Sequence, residues 1–197
     1  APVTWANGWP SVQLDNGKWG ASYPFPNLPC GAGKVRAPYG KDTFSSSTLL
    51  PEWEWNHNPD NSKWSSGSGL VLKTATLTQD IYSARNTLTR RMPGPISTGT
   101  LELDYGSMKD GDVAGLAAWR DSSAWIGIKR AGGSYRVVVV TGLTLDSSWN
   151  TNGFGSEVGS ANVSGGKIWL RVVGNVRTDG GGANAKFYYS TDGATYQ

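Results

Sequence analysis

Beyond residue 50, apolar and polar positions alternate in short runs along most of the chain. Trp53 and Trp55 alternate with Glu52 and Glu54. A period of two sends both indoles to one face of a strand and both carboxylates to the other. Leu101, Leu103 and Tyr105 alternate in the same way with Thr100, Glu102 and Asp104, and Ile126 and Ile128 with Trp125 and Lys129. The pattern predicts strands over 69–75, 81–90, 99–105, 113–119, 124–129, 135–141, 167–173 and 185–190. Val137 to Val140 breaks the alternation, and an unbroken apolar run of this kind predicts a strand covered on both faces. Asp110-Gly111, Gly132-Gly133 and Asp192-Gly193 mark hairpin turns. No helical period of useful length occurs. Many strands spaced by turns predict an all-β chain folded as a two-sheet sandwich.

Residues 1–50 carry no such period. The segment from Val3 to Pro10 (VTWANGWP) places Trp5 and Trp9 around an Asn-Gly turn. Tyr23 to Pro29 (YPFPNLP) must be extended, because proline excludes helix and restricts the residue before it. Lys41 to Thr48 reads as a polar linker. The expected division is therefore an extended strap over 1–50, whose aromatics dock on some other surface, and a sandwich over 51–197. Leu143 to Gly166 is polar and rich in Gly and Ser, and is expected to be a long functional loop. After the Asp192-Gly193 turn a return strand would start at Ala194 and stop at Gln197. A strand without its partner exposes a ladder edge, so the polypeptide is expected to continue or another chain to supply the missing strand.

Composition sharpens this picture. Only 38% of the 197 residues are hydrophobic, while 27 are Gly and 11% are aromatic, which fits many turns between short strands. The net charge of +3, from 18 basic and 15 acidic residues without a basic stripe, is too mild to imply nucleic acid. No apolar run approaches a membrane span. Cys30 is the one cysteine and has no internal partner for a disulfide. Asn162-Val163-Ser164 is a glycosylation acceptor in what reads as a Gly/Ser loop. No signal-peptide pattern is seen, and Ala1 is expected to follow a cleavage or a cut inside a longer protein.

Chemistry carried by the sandwich itself is thinly supported. Glu52 and Glu54 start roughly 6.5–7 Å apart on one strand, near the separation glycosidases use, but carboxylates side by side need not straddle a bond. Glu102-Leu-Asp104-Tyr-Gly-Ser107 resembles part of a glucanase signature with Ser107 where the last glutamate should stand. His57 is the single histidine, with no nucleophile beside it, and the His/Cys set of a transition-metal site is missing. Asp110 and Asp112 could hold a structural calcium, although a plain Asp-Gly hairpin explains them as well. Sugars stack their C–H faces on aromatic rings, which makes Trp119, Trp125, Trp149 and Tyr188 the carbohydrate-binding candidates. Trp125 and Tyr188 lie opposite the aliphatic face of their strands, which favours exposure.

Four segments form a series: Pro51 to Asn61 (PEWEWNHNPDN), Ala84 to Arg91 (ARNTLTRR), Met108 to Ala118 (MKDGDVAGLAA) and Ala124 to Lys129 (AWIGIK). Together they resemble the C-terminal β-sandwich domain of glycoside hydrolase family 43, the β-xylosidases and α-L-arabinofuranosidases that act on xylan and arabinoxylan. Val3 to Pro10 resembles the segment that leaves the catalytic propeller of those enzymes. The resemblance implies a concanavalin A-like jelly roll packed on a five-bladed propeller that carries the three catalytic carboxylates, none of which lies in these residues. It implies a secreted, non-catalytic accessory or carbohydrate-binding domain whose partners are the missing propeller and a xylan or arabinoxylan oligosaccharide, and it implies no cofactor. Trp5, Trp9, Trp53, Trp55, His57, Asn58, Arg85, Asn86 and Arg90 are then expected at the interface with the propeller, where Arg is favoured for bidentate pairing. Two readings stand beside it: a free-standing xylan-binding module or lectin, and a catalytic sandwich using Glu52 and Glu54.

Overall fold

The computed structural model describes residues 1–24, 37–177 and 183–197, and every regular element among them is a strand. Cys30 and the prolines from Pro26 to Pro29 lie outside the described residues. The chain parts into two compact units, Ala1–Tyr39 and Gly40–Gln197. The division falls before the linker-like stretch rather than after it. Asp42 and Phe44 are the reason: the Trp53 indole N–H donates to Asp42 at 2.8 Å and its ring lies 5.2 Å from that of Phe44.

In the first unit β1 (Val3–Ala6) and β2 (Trp9–Val12) form a hairpin. Asn7 and Gly8 both take positive φ, 53° and 79°, as the turn that matches strand twist requires. Pairing Trp5 with Pro10 and Ala6 with Trp9 sends the two indoles to opposite faces. Trp5 shares its face with Val3, Pro10 and Val12. Trp9 shares the other with Thr4 and Ser11, whose hydroxyls meet at 2.7 Å.

In the second unit two large sheets face each other. One has the order β11-β10-β9-β8, built from β8 (Val113–Ala118), β9 (Ser122–Ala131), β10 (Ser134–Leu145) and β11 (Thr151–Val163). The other has the order β13-β12-β7, from β7 (Ile96–Asp104), β12 (Lys167–Asn175) and β13 (Asn184–Ser190). Ile126, Ile128 and Val137 of the first sheet and Ile168 and Leu170 of the second bury one another around Tyr105. This is the two-sheet sandwich the alternation predicts. Two-strand ladders, β3 (Trp53–Trp55) with β6 (Leu88–Arg90) and β4 (Trp64–Ser65) with β5 (Val71–Leu72), flank it.

A second apolar cluster lies on the opposite face of the four-stranded sheet. Val138, Val140 and Leu143 are buried there under Tyr82, with Ile81, Trp119, Trp125 and Leu145 packed around them. Neighbours Val137 and Val138 thus serve different cores, and β10 is covered on both sides as its valine run predicts. Trp125 turns away from the main core as its alternation requires, but into this second cluster instead of into water.

Three expected elements differ. The segment 69–75 pairs only at β5, and 81–90 only at β6. Residues 81–86 are turns organised by Asp80, whose carboxylate accepts the Tyr82 amide at 2.9 Å and the Ser83 hydroxyl at 2.8 Å. The stretch expected as a long loop is mostly β11, thirteen residues paired along β10. Its side chains are largely exposed, so backbone pairing forms it without an apolar alternation to announce it. Asn162 consequently sits on this edge strand, opposite Arg136. At the end of the chain Gln197 exchanges both backbone hydrogen bonds with Tyr189, each 3.0 Å. The Ser190 hydroxyl and the Thr195 and Ala194 amides hold the Asp192 carboxyl well below the usual carboxylate range at that turn.

Candidate functional site

The Trp53–Trp55 strand delivers the chain into the polar loop 56–62. Trp53 and Trp55 are half-buried and occupied within the unit: Arg90 lies over the Trp53 ring at 5.5 Å, and Trp55 packs on Trp64 at 5.1 Å. Glu54 on the opposite face is exposed and pairs with Arg91 at 3.4 Å.

The loop is then clasped to the turns at 80–87. His57 Nε2 meets the Tyr82 carbonyl at 2.6 Å, and since a carbonyl only accepts, Nε2 carries the proton. Arg85 donates from Nε and Nη2 to the Asn58 carbonyl, at 3.2 and 3.0 Å. Asn86 is buried, 5% exposed, and uses its amide twice on Asp60: Oδ1 accepts the backbone N–H at 2.8 Å and Nδ2 donates to the carbonyl at 3.0 Å.

A third segment closes the group. Asp146 accepts the amides of Ser148 and Asn150 at 2.8 and 2.9 Å, and its carbonyl accepts the Trp149 amide at 3.0 Å. This tight turn holds Trp149 in the left-handed region at φ 64°, and the residue is 71% exposed. The Thr151 hydroxyl reaches back to Asp80 at 2.7 Å. Between the three segments lies an open cleft of about 500 Å3, lined by His57, Asn58, Ser83, Arg85, Trp149 and Asn150 among others.

Two separately predicted sets therefore meet. Trp149, a sugar-binding candidate, stands beside His57, Asn58 and Arg85 of the expected interface group. The remaining candidates do not join it. Trp119 packs edge-on against Tyr82 at 5.2 Å, and Lys129 lies over the Trp125 ring at 5.7 Å. Tyr188 is half-buried on the three-stranded sheet, opposite Arg171. Trp5 and Trp9, 72% and 77% exposed, belong to the other unit. Asp80, Tyr82, Ser83, Asn150 and Thr151 were missing from the sequence-based set. Asp146-Ser-Ser-Trp-Asn is a polar turn cluster that could have pointed to the third segment.

Asp110 and Asp112 are both engaged within the hairpin region. Asp110 pairs with Arg130 at 3.2 Å and accepts the Gly133 amide, and Asp112 accepts the Lys109 amide at 2.7 Å. No group of three or more His, Cys, Asp and Glu able to hold a metal occurs among the described residues.

Asp80 fastens the cleft electrostatically. Burial pushes its carboxyl up, but hydrogen bonds from the Thr151 and Ser83 hydroxyls and the Tyr82 and Ser83 amides outweigh this and leave it below its ordinary value. A carboxyl depressed on folding contributes stability above its unfolded pKa, about 3.9, and loses that contribution as pH falls through the folded value. Stability is therefore expected to drop below about pH 4 in part through Asp80. Asp80→Ala should cost about 1.5–3 kcal/mol at neutral pH and flatten this acid limb, as read from urea midpoints across pH.

The chain's sequence and fold can be set beside those of known proteins. Residues 41–197 match the family model described as the beta xylosidase C-terminal Concanavalin A-like domain. The chain belongs to this family. Over its whole length it is 29% identical to a beta-xylosidase of Formosa agariphila. It is 31% identical, over 61% of its length, to a non-reducing end alpha-L-arabinofuranosidase of Bacteroides ovatus. Among solved structures it superposes in full, with a TM-score of 0.87 and 38% identity, on a GH43 glycoside hydrolase engineered at its active site to display both endo-xylanase and exo-arabinofuranosidase activity. The chain spans between about a quarter and a third of the curated relatives it matches, 35% of the Formosa enzyme and 23% of the Bacteroides one, and 40% of the solved chain. It thus corresponds to the C-terminal domain carried by these larger GH43 proteins.

Proposed function

We propose that this domain is the non-catalytic accessory part of a secreted xylan- or arabinoxylan-degrading glycosidase, and that a propeller in the same polypeptide performs the hydrolysis. The observation that carries the reading is the full-length match of this chain to a minor part of enzymes with those activities. Hydrolysis needs a carboxylic acid and a carboxylate base flanking one bond. The carboxylates of the sandwich support assignment of that work elsewhere: Glu54 is paired with Arg91, Glu102 with Lys167 at 3.0 Å, and Asp80 with its own turn. The domain's contributions are to shore up the propeller and to contact the polysaccharide. The exposed Trp5 face of the N-terminal hairpin, with Val3, Pro10 and Val12, supplies an apolar surface for the propeller.

The polypeptide that joins this domain to its propeller is expected to release xylose or arabinose from arabinoxylan. Deletion of 41–197 is expected to abolish or severely reduce that release, and the isolated sandwich should release none. Sugar release by the sandwich alone, measured by chromatography of the products, would overturn the assignment.

A further inference from the structure

We propose that the Trp149 cleft holds one pentose ring of a xylan chain, stacked on the indole and bonded at its rim by Arg85, Asn58 and Ser83. This rests on the preceding reading and adds to it a site and a ligand. The first support is the backbone of Trp149. A bulky residue at φ 64° is conformationally costly, and the hydrogen bonds of its turn are made by Asp146 and backbone amides that any residue would supply. Nothing in the local structure calls for an indole there, yet one is held in the open at the rim of a cleft.

The second support is the state of the polar wall. His57 is fixed on Tyr82, Arg85 on the Asn58 carbonyl, and Asn150 in the Asp146 turn. Groups already immobilised in the free protein lose little freedom on binding. The third is charge. Asp80, the carboxylate at the base of these segments, is consumed by Thr151, Ser83 and the Tyr82 amide, so the cleft presents hydroxyl, amide and guanidinium groups and no lining carboxylate. That combination suits a neutral polyhydroxylated ring, whose C–H face meets the indole and whose hydroxyls both donate and accept.

Titration of the chain with xylohexaose, read by calorimetry and tryptophan fluorescence, tests the proposal. Saturable binding is expected. Trp149→Ala should weaken it by about tenfold or more with an unchanged melting temperature, and Trp149→Phe should recover part of the loss. Binding that survives Trp149→Ala intact would overturn the site. So would the lack of saturable binding at millimolar xylohexaose, and preference for cellohexaose would overturn the ligand class. Each of these failures leaves the accessory-domain reading untouched, because that reading falls only if the sandwich alone hydrolyses arabinoxylan.

Discussion

Tyr82→Ala is expected to lower stability by about 3–5 kcal/mol, the range for truncating a large buried aromatic, and to dismantle the cleft in the same step. Tyr82 is the buried residue through which the turns at 80–87 cover the outer face of the four-stranded sheet. Its ring packs edge-on against Trp119, its hydroxyl donates to the Leu143 carbonyl at 3.1 Å, and its own carbonyl anchors His57. Truncation leaves a void over Val138, Val140 and Leu143 and frees the segment that positions Ser83 and Arg85. Urea unfolding should show a lowered midpoint. Tyr82→Phe keeps the packing and loses one buried hydrogen bond, so it should cost only about 1 kcal/mol. Equal losses in the two variants would mean that the hydroxyl, and not the packing, holds the segment.

The contrast between Tyr82 and the residues of the main core explains what the sequence could reveal. Leu103, on β7, and Tyr105, just beyond its end, alternate with exposed Glu102 and Asp104, so local alternation reports their place in the core directly. Trp125 obeys the same alternation, yet its destination depended on whether anything covers the outer face of its sheet. That cover comes from Ile81 and Tyr82, distant in the chain and without a period of their own. The strand β11 was illegible for the opposite reason: it lies at a sheet edge, and its exposed side chains carry no burial signal. The polar residues His57, Asn58, Arg85 and Asn86 were legible as a group deserving a role. Their arrangement was not, because each bond that arranges them joins residues 25 to 27 positions apart. The Asp80–Thr151 contact spans 71 positions. Such pairings are fixed by tertiary structure, and no local pattern encodes them.

Those long-range clasps carry the second large effect. Asn86→Ala is expected to cost about 2–4 kcal/mol, from two sources that can be separated. Asn86 sits at φ 60°, a region that asparagine tolerates better than alanine. It is also buried, and its loss would leave the Asp60 amide and carbonyl without their side-chain partner. Asn86→Gly removes the same two hydrogen bonds but adopts the backbone freely, so it should be about 1 kcal/mol less damaging than alanine. The difference between the two variants isolates the backbone contribution, and what remains in the glycine variant is the clasp itself. In both, faster hydrogen exchange at the Asp60 amide should mark release of the 56–62 loop, while the Ile126 and Ile128 amides of β9 exchange no faster than global unfolding allows. Wild-type protection at Asp60 in the glycine variant would show that the loop is held by His57 and Arg85 alone, and that Asn86 serves only the turn in which it lies.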